Sequence, residues 1–184
     1  MIILASASPR RAHLLTMLGM TFTVVRPDCD ESLPPESPPS ESVRLLAVRK
    51  AETVAALRSP QDCVIAADTL VCLDGRLLGK PCDQDDAFSI LRSLSGRAHE
   101  VYTGLAVCRD GVTRAETQMT RVWFRPMDDH EIWTYVRSGV PMDKAGAYGI
   151  QDRGALFVSH IEGDFYNVMG LPLCLLGRMI DDLS

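Results

Sequence analysis

The 184-residue chain reads as an α/β protein, with helices and strands alternating along its length. Three observations predict this. An apolar run, Ile2-Ile3-Leu4-Ala5, passes directly into a helix start at Ser8-Pro9. A nearly continuous apolar run, Cys63 to Leu73, has the character of a strand covered on both faces. Two Asp-Gly pairs, Asp74-Gly75 and Asp110-Gly111, sit between strand-like runs as hairpin turns.

The elements follow in order. A strand at about 1–5 leads to a helix at about 9–19. Ser8 is its expected N-cap, Pro9 suits a first turn whose amide lacks a partner anyway, and Gly19 stops it. A strand at about 20–26 precedes an acidic, proline-rich loop, Pro27 to Pro39, with Asp28, Asp30, Glu31 and Glu36. A long helix is expected at about 38–58, with Ser37 as cap and Pro38 first. Its apolar residues Val43, Leu46, Ala47, Val54 and Leu57 recur at helical spacing. After the 63–73 strand and its hairpin, a helix at about 84–95 starts after Asp83. Strands at about 98–109 and 112–125 flank the second Asp-Gly turn. Asp128-Asp129-His130-Glu131 has the form of a capping box opening a helix to about 138. A glycine-rich stretch, 139–154, leads to a strand at about 155–161 and a final helix at about 170–182. No repeat or linker interrupts the chain, which reads as a single domain, 1–184, with room for two lobes.

Composition narrows the function. Hydrophobic residues make up 46% and charged residues 23%, ordinary for a globular protein. No apolar run approaches the roughly 20 residues of a membrane span, and no secretion signal is evident. The expectation is a cytoplasmic protein with reduced thiols. The six cysteines form no Cys-x-x-Cys pair and the four histidines are dispersed, which argues against a zinc site. A net charge of −5 argues against a broad nucleic-acid footprint. It does not argue against a small anion, which needs only a local basic cluster. Sixteen arginines against three lysines, Lys50, Lys80 and Lys144, single out the lysines as candidates for a compact ammonium.

Several residues carry candidate chemistry. Arg10 and Arg11 lie in a helix first turn, where cations oppose the dipole unless an anion sits between them and the free amides; a phosphate-bearing ligand would meet that need. Asp68 interrupts the buried strand, and a buried carboxylate must be paired, metal-bound or shifted in pKa. Gly79-Lys80-Pro81 permits close backbone approach, though no Walker A loop is present. For Glu31 and Lys50 a solvated surface charge is the commoner reading. In Met142 to Gln151, small residues allow tight packing and the Gln151 amide can both donate and accept, as reading a base edge requires.

Together these segments resemble the Maf family of nucleoside triphosphate pyrophosphatases. The resemblance covers nearly the whole chain. It rests on Leu4 to Arg11, Ala67-Asp68-Thr69, Leu78-Gly79-Lys80-Pro81, Leu94 to Gly104, Asp143 to Gln151 and Glu162 to Pro172, in joint order and spacing. It implies a Maf/ITPase-like fold: a two-lobed mixed sheet flanked by helices around a central cleft, usually as a homodimer. It implies hydrolysis of a nucleoside triphosphate to the monophosphate and pyrophosphate with a divalent metal. Asp68 matches the family's proton acceptor. Ser6, Arg10, Arg11, Glu31, Lys50, Lys80 and Gln151 match its functional positions. Arg10, Thr69 and the segment ending at Gln151 are similar to the branch acting on dTTP and UTP. Asp152 departs from the family, where glycine is common, and sets a negative charge beside the presumed base-reading residue.

The mechanism expected from this resemblance has Arg10, Arg11, Lys50 and Lys80 offsetting about four phosphate charges, with Ser6 adding a hydroxyl contact. Glu31 and Asp68 would contact Mg²⁺, Mn²⁺ or Co²⁺, and Asp68 would direct a water at the α-phosphorus. The alternatives are a pyrophosphatase for 7-methyl-GTP and a non-catalytic nucleotide-binding regulator of cell division.

Overall fold

The computed structural model describes residues 1–32 and 37–183. Part of the predicted acidic loop, including Glu36, lies outside the described residues. The elements are β1 (Ile2–Ala5), α1 (Pro9–Met17), β2 (Phe22–Val25), α2 (Pro39–Ala55), β3 (Cys63–Leu73), β4 (Arg76–Leu78), α3 (Gln84–Leu94), β5 (Ala98–Arg109), β6 (Val112–Phe124), α4 (Asp129–Arg137), β7 (Val158–Glu162), α5 (Phe165–Met169) and α6 (Leu173–Asp181), with three 3-10 turns between α4 and β7. Seven strands form one mixed sheet in the order β2-β1-β3-β5-β6-β7, with β4 paired to β3. β1 runs parallel to β2 and β3, while β3–β4 and β6–β7 are antiparallel.

Local chemistry explains most of the boundaries. Both Asp-Gly pairs form hairpin turns with positive φ at each residue, 50° and 79° for Asp74-Gly75 and 51° and 76° for Asp110-Gly111. Asp83 caps α3 by accepting from the Asp86 amide. The capping box at Asp128 and Glu131 is complete in both directions.

Four expectations need correction. Ser8 occupies the N-cap of α1 without a side-chain cap bond; instead its amide donates to Ser6 Oγ at 3.1 Å. The second helix begins one residue later than expected, with Pro38 at the cap and Pro39 as its first residue, and it ends at Ala55, which leaves Leu57 exposed. The last strand starts at Val158, because residues 153–157 close a 3-10 turn capped by Asp152. The final helix, expected at about 170–182, begins only at Leu173 as α6, because Gly170 at φ +105° and Pro172, which lacks an amide donor, break the chain after a short helix, α5, that was not expected.

The chain divides into two compact units. The first comprises Met1–Thr69, Thr103–Gln118 and Tyr166–Ser184; the second comprises Leu70–Tyr102 and Met119–Phe165. In the first unit, Ile3 and Ala5 of β1, Val64 and Ala66 of β3, and Ala106 and Cys108 of β5 pack against Ala47, Ala51 and Val54 of α2. These small residues let α2 lie close to the sheet. The approach is tightest at Gly104, where a Cβ would overlap the Val43 carbonyl and sit 2.6 Å from the Arg44 amide nitrogen.

The second unit is centred on aromatic rings. His99, Phe124 and Tyr148 meet edge to face, and Phe157 joins Phe124 and Tyr135. His99 Nε2 and the Tyr148 hydroxyl share a 2.8 Å hydrogen bond. Burial pushes the His99 imidazole down to about 4 and the Tyr148 phenol upward.

Two predictions follow from this packing. Gly104→Ala should lower unfolding free energy by about 3 kcal/mol in urea titrations, since the clash is with backbone that cannot rotate away; an unchanged midpoint would contradict the close approach. His99 is neutral when folded but binds a proton below about pH 6.5 when unfolded. Its contribution is therefore complete above pH 6.5 and is lost as pH falls toward 4, by about 3 kcal/mol in all. Stability measured against pH for the wild type, minus that for His99→Phe, should slope over this window and flatten outside it.

Candidate active site

Strand geometry places Asp68. Val64 and Ala66 of β3 face α2, and alternate residues share a face, so Asp68 is the next to meet that helix. Residues 63–67 and 71–73 are buried, whereas 68–70 are only half-buried, so the strand opens where its polar residues begin. Helix geometry places Lys50. Val43, Leu46, Ala47, Ala51 and Val54 form the buried stripe of α2, and Lys50 falls inside it, one heptad after Val43. Lys50 Nζ donates to Asp68 Oδ1 at 2.6 Å and lies 2.9 Å from Glu31 Oε1. The Lys50 side chain is 9% exposed, that of Asp68 14% and that of Glu31 64%. One buried cation thus draws two carboxylates together.

The neighbouring Arg49 brings Glu31 into place. Its Nη1 donates to the carbonyls of Asp30 and Ser32, at 3.2 and 2.6 Å, pinning the loop on either side of Glu31. The Asp30 carboxylate accepts from the Ser32 amide and hydroxyl, which holds it below the usual carboxylate range and closes an Asx turn.

Arg11 holds the other face together. Its Nε donates to the Gly170 carbonyl at 2.7 Å, Nη1 to Ser6 Oγ at 3.2 Å and Nη2 to Thr69 Oγ1 at 3.1 Å. Thr103 Oγ1 donates to the Asn167 carbonyl, so in its 2.9 Å bond with Thr69 the Thr69 hydroxyl is the donor. The Ser6 hydroxyl accepts from both Arg11 and the Ser8 amide, which leaves its own proton free to point elsewhere. Burial draws the Arg11 guanidinium down, while Asp68 raises it and Arg10 lowers it further. Three of the five Arg11 donors are thus committed inside the protein, and each terminal nitrogen keeps a second N–H. Arg10 is half-buried in the same first turn, which carries no acidic residue.

The first unit therefore gathers Ser6, Arg10, Arg11, Glu31, Lys50, Asp68 and Thr69. Lys80 and Gln151 belong to the second unit, and both are exposed. There the Gly146 amide donates to the Gly79 carbonyl at 3.0 Å, stitching the Lys80 loop to the segment that ends at Gln151. Gly146 and Ala147 are both left-handed, at φ 70° and 57°, and the alanine stores about 1 kcal/mol of strain. Sequence reasoning did not single out Thr103, Asn167 and Gly170. Their roles come through a hydroxyl and two backbone carbonyls, and carbonyls leave no mark on residue type.

The two units and their sheet define an α/β protein with a buried lysine–aspartate pair beside a helix start rich in arginine. The fold matches that of the Staphylococcus aureus Ham1 protein, with a TM-score of 0.55 at 15% identity over 100% of this chain and 99% of that one. Residues 1–183 match the family described as Maf-like protein, and the chain belongs to that family. Its relatives include proteins of Moorella thermoacetica (50% identical, 97% of this chain and 93% of the relative), Symbiobacterium thermophilum (48%, 94% and 88%) and Pelotomaculum thermopropionicum (47%, 97% and 94%), each named dTTP/UTP pyrophosphatase.

Removing one partner of a buried pair leaves the other charge without compensation. Lys50→Met should therefore cost about 3 kcal/mol of unfolding free energy. Adding Asp68→Leu should recover much of that loss in a denaturant-based double-mutant cycle. Purely additive losses would contradict the pairing.

Proposed function

We propose that the chain hydrolyses dTTP and UTP to the monophosphate and pyrophosphate, acting on the α–β phosphoanhydride. The observation that carries this reading is the Asp68 carboxylate held by Lys50 at 2.6 Å, at the point where a buried strand opens. The names of relatives about half identical over nearly the whole chain support it.

The chemistry follows from the residues. Lys50 binds Asp68 Oδ1, which leaves Oδ2 to accept a proton from water. The water oxygen bonds to the α-phosphorus as its bond to the bridging oxygen breaks, and pyrophosphate departs with that electron pair. A carboxylate is a weak base, so orientation of the water matters more than proton affinity. Arg10 and Lys80 are assigned to the charge of the triphosphate, the Ser6 proton to a phosphate oxygen, and Gln151 to the base edge. Arg11 and Thr69 hold Ser6 and the carboxylate-bearing strand in register.

Glu31 and Asp68 suit Mg²⁺, Mn²⁺ or Co²⁺, because they are hard oxygen donors already converging on one cation. Among the described residues no group of three or more acidic, histidine or cysteine side chains gathers, so phosphate oxygens and water would complete the shell. When bound, such an ion offsets phosphate charge and acidifies its water. The reading includes action as a homodimer, as the family resemblance implies, and a cytoplasmic location, as the composition suggests. Among the described residues no helix is long and apolar enough to cross a membrane.

Purified protein, incubated with standard, modified and 7-methylated triphosphates and each metal, should release pyrophosphate fastest from UTP and dTTP. Fastest release from 7-methyl-GTP would reassign the base. Binding without any product would make the chain a sensor. Asp68→Asn should reduce turnover at least about a thousandfold while nucleotide still binds, measured by calorimetry alongside pyrophosphate release. Substantial residual hydrolysis would remove Asp68 from its role.

A further inference from the structure

We propose that Asp152 is a positioning residue that fixes how Gln151 is presented, and so tunes base selectivity in this chain. The inference rests on the reading of Gln151 as the contact to the base edge. The sequence alone suggests the opposite effect, a stray negative charge beside that contact. The second unit turns the carboxylate inward instead. Asp152 Oδ1 accepts from the Tyr135 hydroxyl at 2.8 Å and from the Gly154 amide at 2.8 Å. Oδ2 lies 3.7 Å from Lys144 Nζ. The Tyr135 hydroxyl in turn accepts from the Gly149 amide at 3.2 Å. One side chain therefore ties together α4, the Lys144 end of the segment, and both flanks of the turn that carries Gln151.

The surrounding residues are shaped to this clamp. A Cβ at Gly149 would overlap Asp152 Oδ2 and lie 2.8 Å from Lys144 Cε. A Cβ at Gly154 would lie 2.6 Å from the Gly149 carbonyl oxygen and 3.1 Å from the Tyr135 hydroxyl. Lys144 also donates to Asp143 Oδ1 at 2.7 Å and to the Val140 carbonyl, so its ammonium is fixed and meets the Asp152 charge from a set direction. Gln151 stays exposed between the tethered points. Glycine at 152 would allow the same backbone path but supply none of these side-chain contacts.

The test is steady-state kinetics of the full chain with UTP, dTTP, CTP and GTP for Asp152→Gly, Asp152→Asn and Tyr135→Phe. Losing one charge-assisted hydrogen bond corresponds to about a tenfold change. Asp152→Gly should thus raise KM for UTP and dTTP about tenfold, hold kcat within about twofold, and narrow the preference for UTP over CTP. Asp152→Asn keeps the Oδ1 acceptor and should restore most of the wild-type KM. Tyr135→Phe should move KM in the direction of the glycine variant, and it carries the test should that variant not fold. Unchanged KM and selectivity in Asp152→Gly, a loss confined to kcat, or an asparagine variant as impaired as the glycine one would each overturn the proposal. A wild type that hydrolyses all four nucleotides equally would instead overturn the reading of Gln151, and the proposal with it.

Discussion

A lysine ammonium and an aspartate carboxylate 2.6 Å apart, both nearly out of solvent, govern the architecture of the first unit. Either charge buried alone would be costly, so each requires the other's element in place. The requirement reaches outward in both directions. Helix α2 must lie close on the sheet, which the alanines at 47 and 51 and the missing side chain at Gly104 allow. The loop before α2 must fold back, which Arg49 enforces by gripping two carbonyls beside Glu31. On the opposite face of β3, Arg11 fastens the strand to β1 and to the C-terminal turn at Gly170. A pair that needs so much support is unlike a surface salt bridge, whose median contribution is small.

The second unit solves a different problem. Its centre is a cluster of aromatic rings, and the segments assigned to the substrate are loops rather than strand ends. Such loops need tethers, because exposed backbone has many accessible conformations. The Gly146–Gly79 hydrogen bond and the bonds converging on Asp152 and Tyr135 supply them. The first unit thus holds Asp68, Lys50 and Arg10, while the second holds Lys80, assigned to the triphosphate, and Gln151, assigned to the base.

Much of this was legible in the sequence where the cause is local. The Asp-Gly hairpins and the Asp128–Glu131 capping box depend on residues a few positions apart, and both formed as expected. Asp68 stood out because a charge within an apolar strand is anomalous in itself. The burial of Lys50 was also written there, since its position repeats Val43 at one heptad, but the commonness of exposed lysines outweighed the register. Other features depend on distant partners. Arg11 reaches Gly170, separated by 159 positions, and nothing near Arg11 announces it. Asp152 read as a liability because only the fold brings Tyr135 and Lys144 to its carboxylate. The final helix starts at Leu173 rather than at 170, because Gly170-Leu171-Pro172 forms the break between α5 and α6 rather than a helix start.

The central proposal is chemical: water attacks the α-phosphorus, beside the carboxylate at position 68, rather than the β- or γ-phosphorus. Hydrolysis of UTP in water enriched in oxygen-18, with the products resolved by mass spectrometry, tests it most directly. The account predicts the heavy oxygen in the monophosphate and none in pyrophosphate. Label in pyrophosphate, or in inorganic phosphate released with the diphosphate, would contradict it.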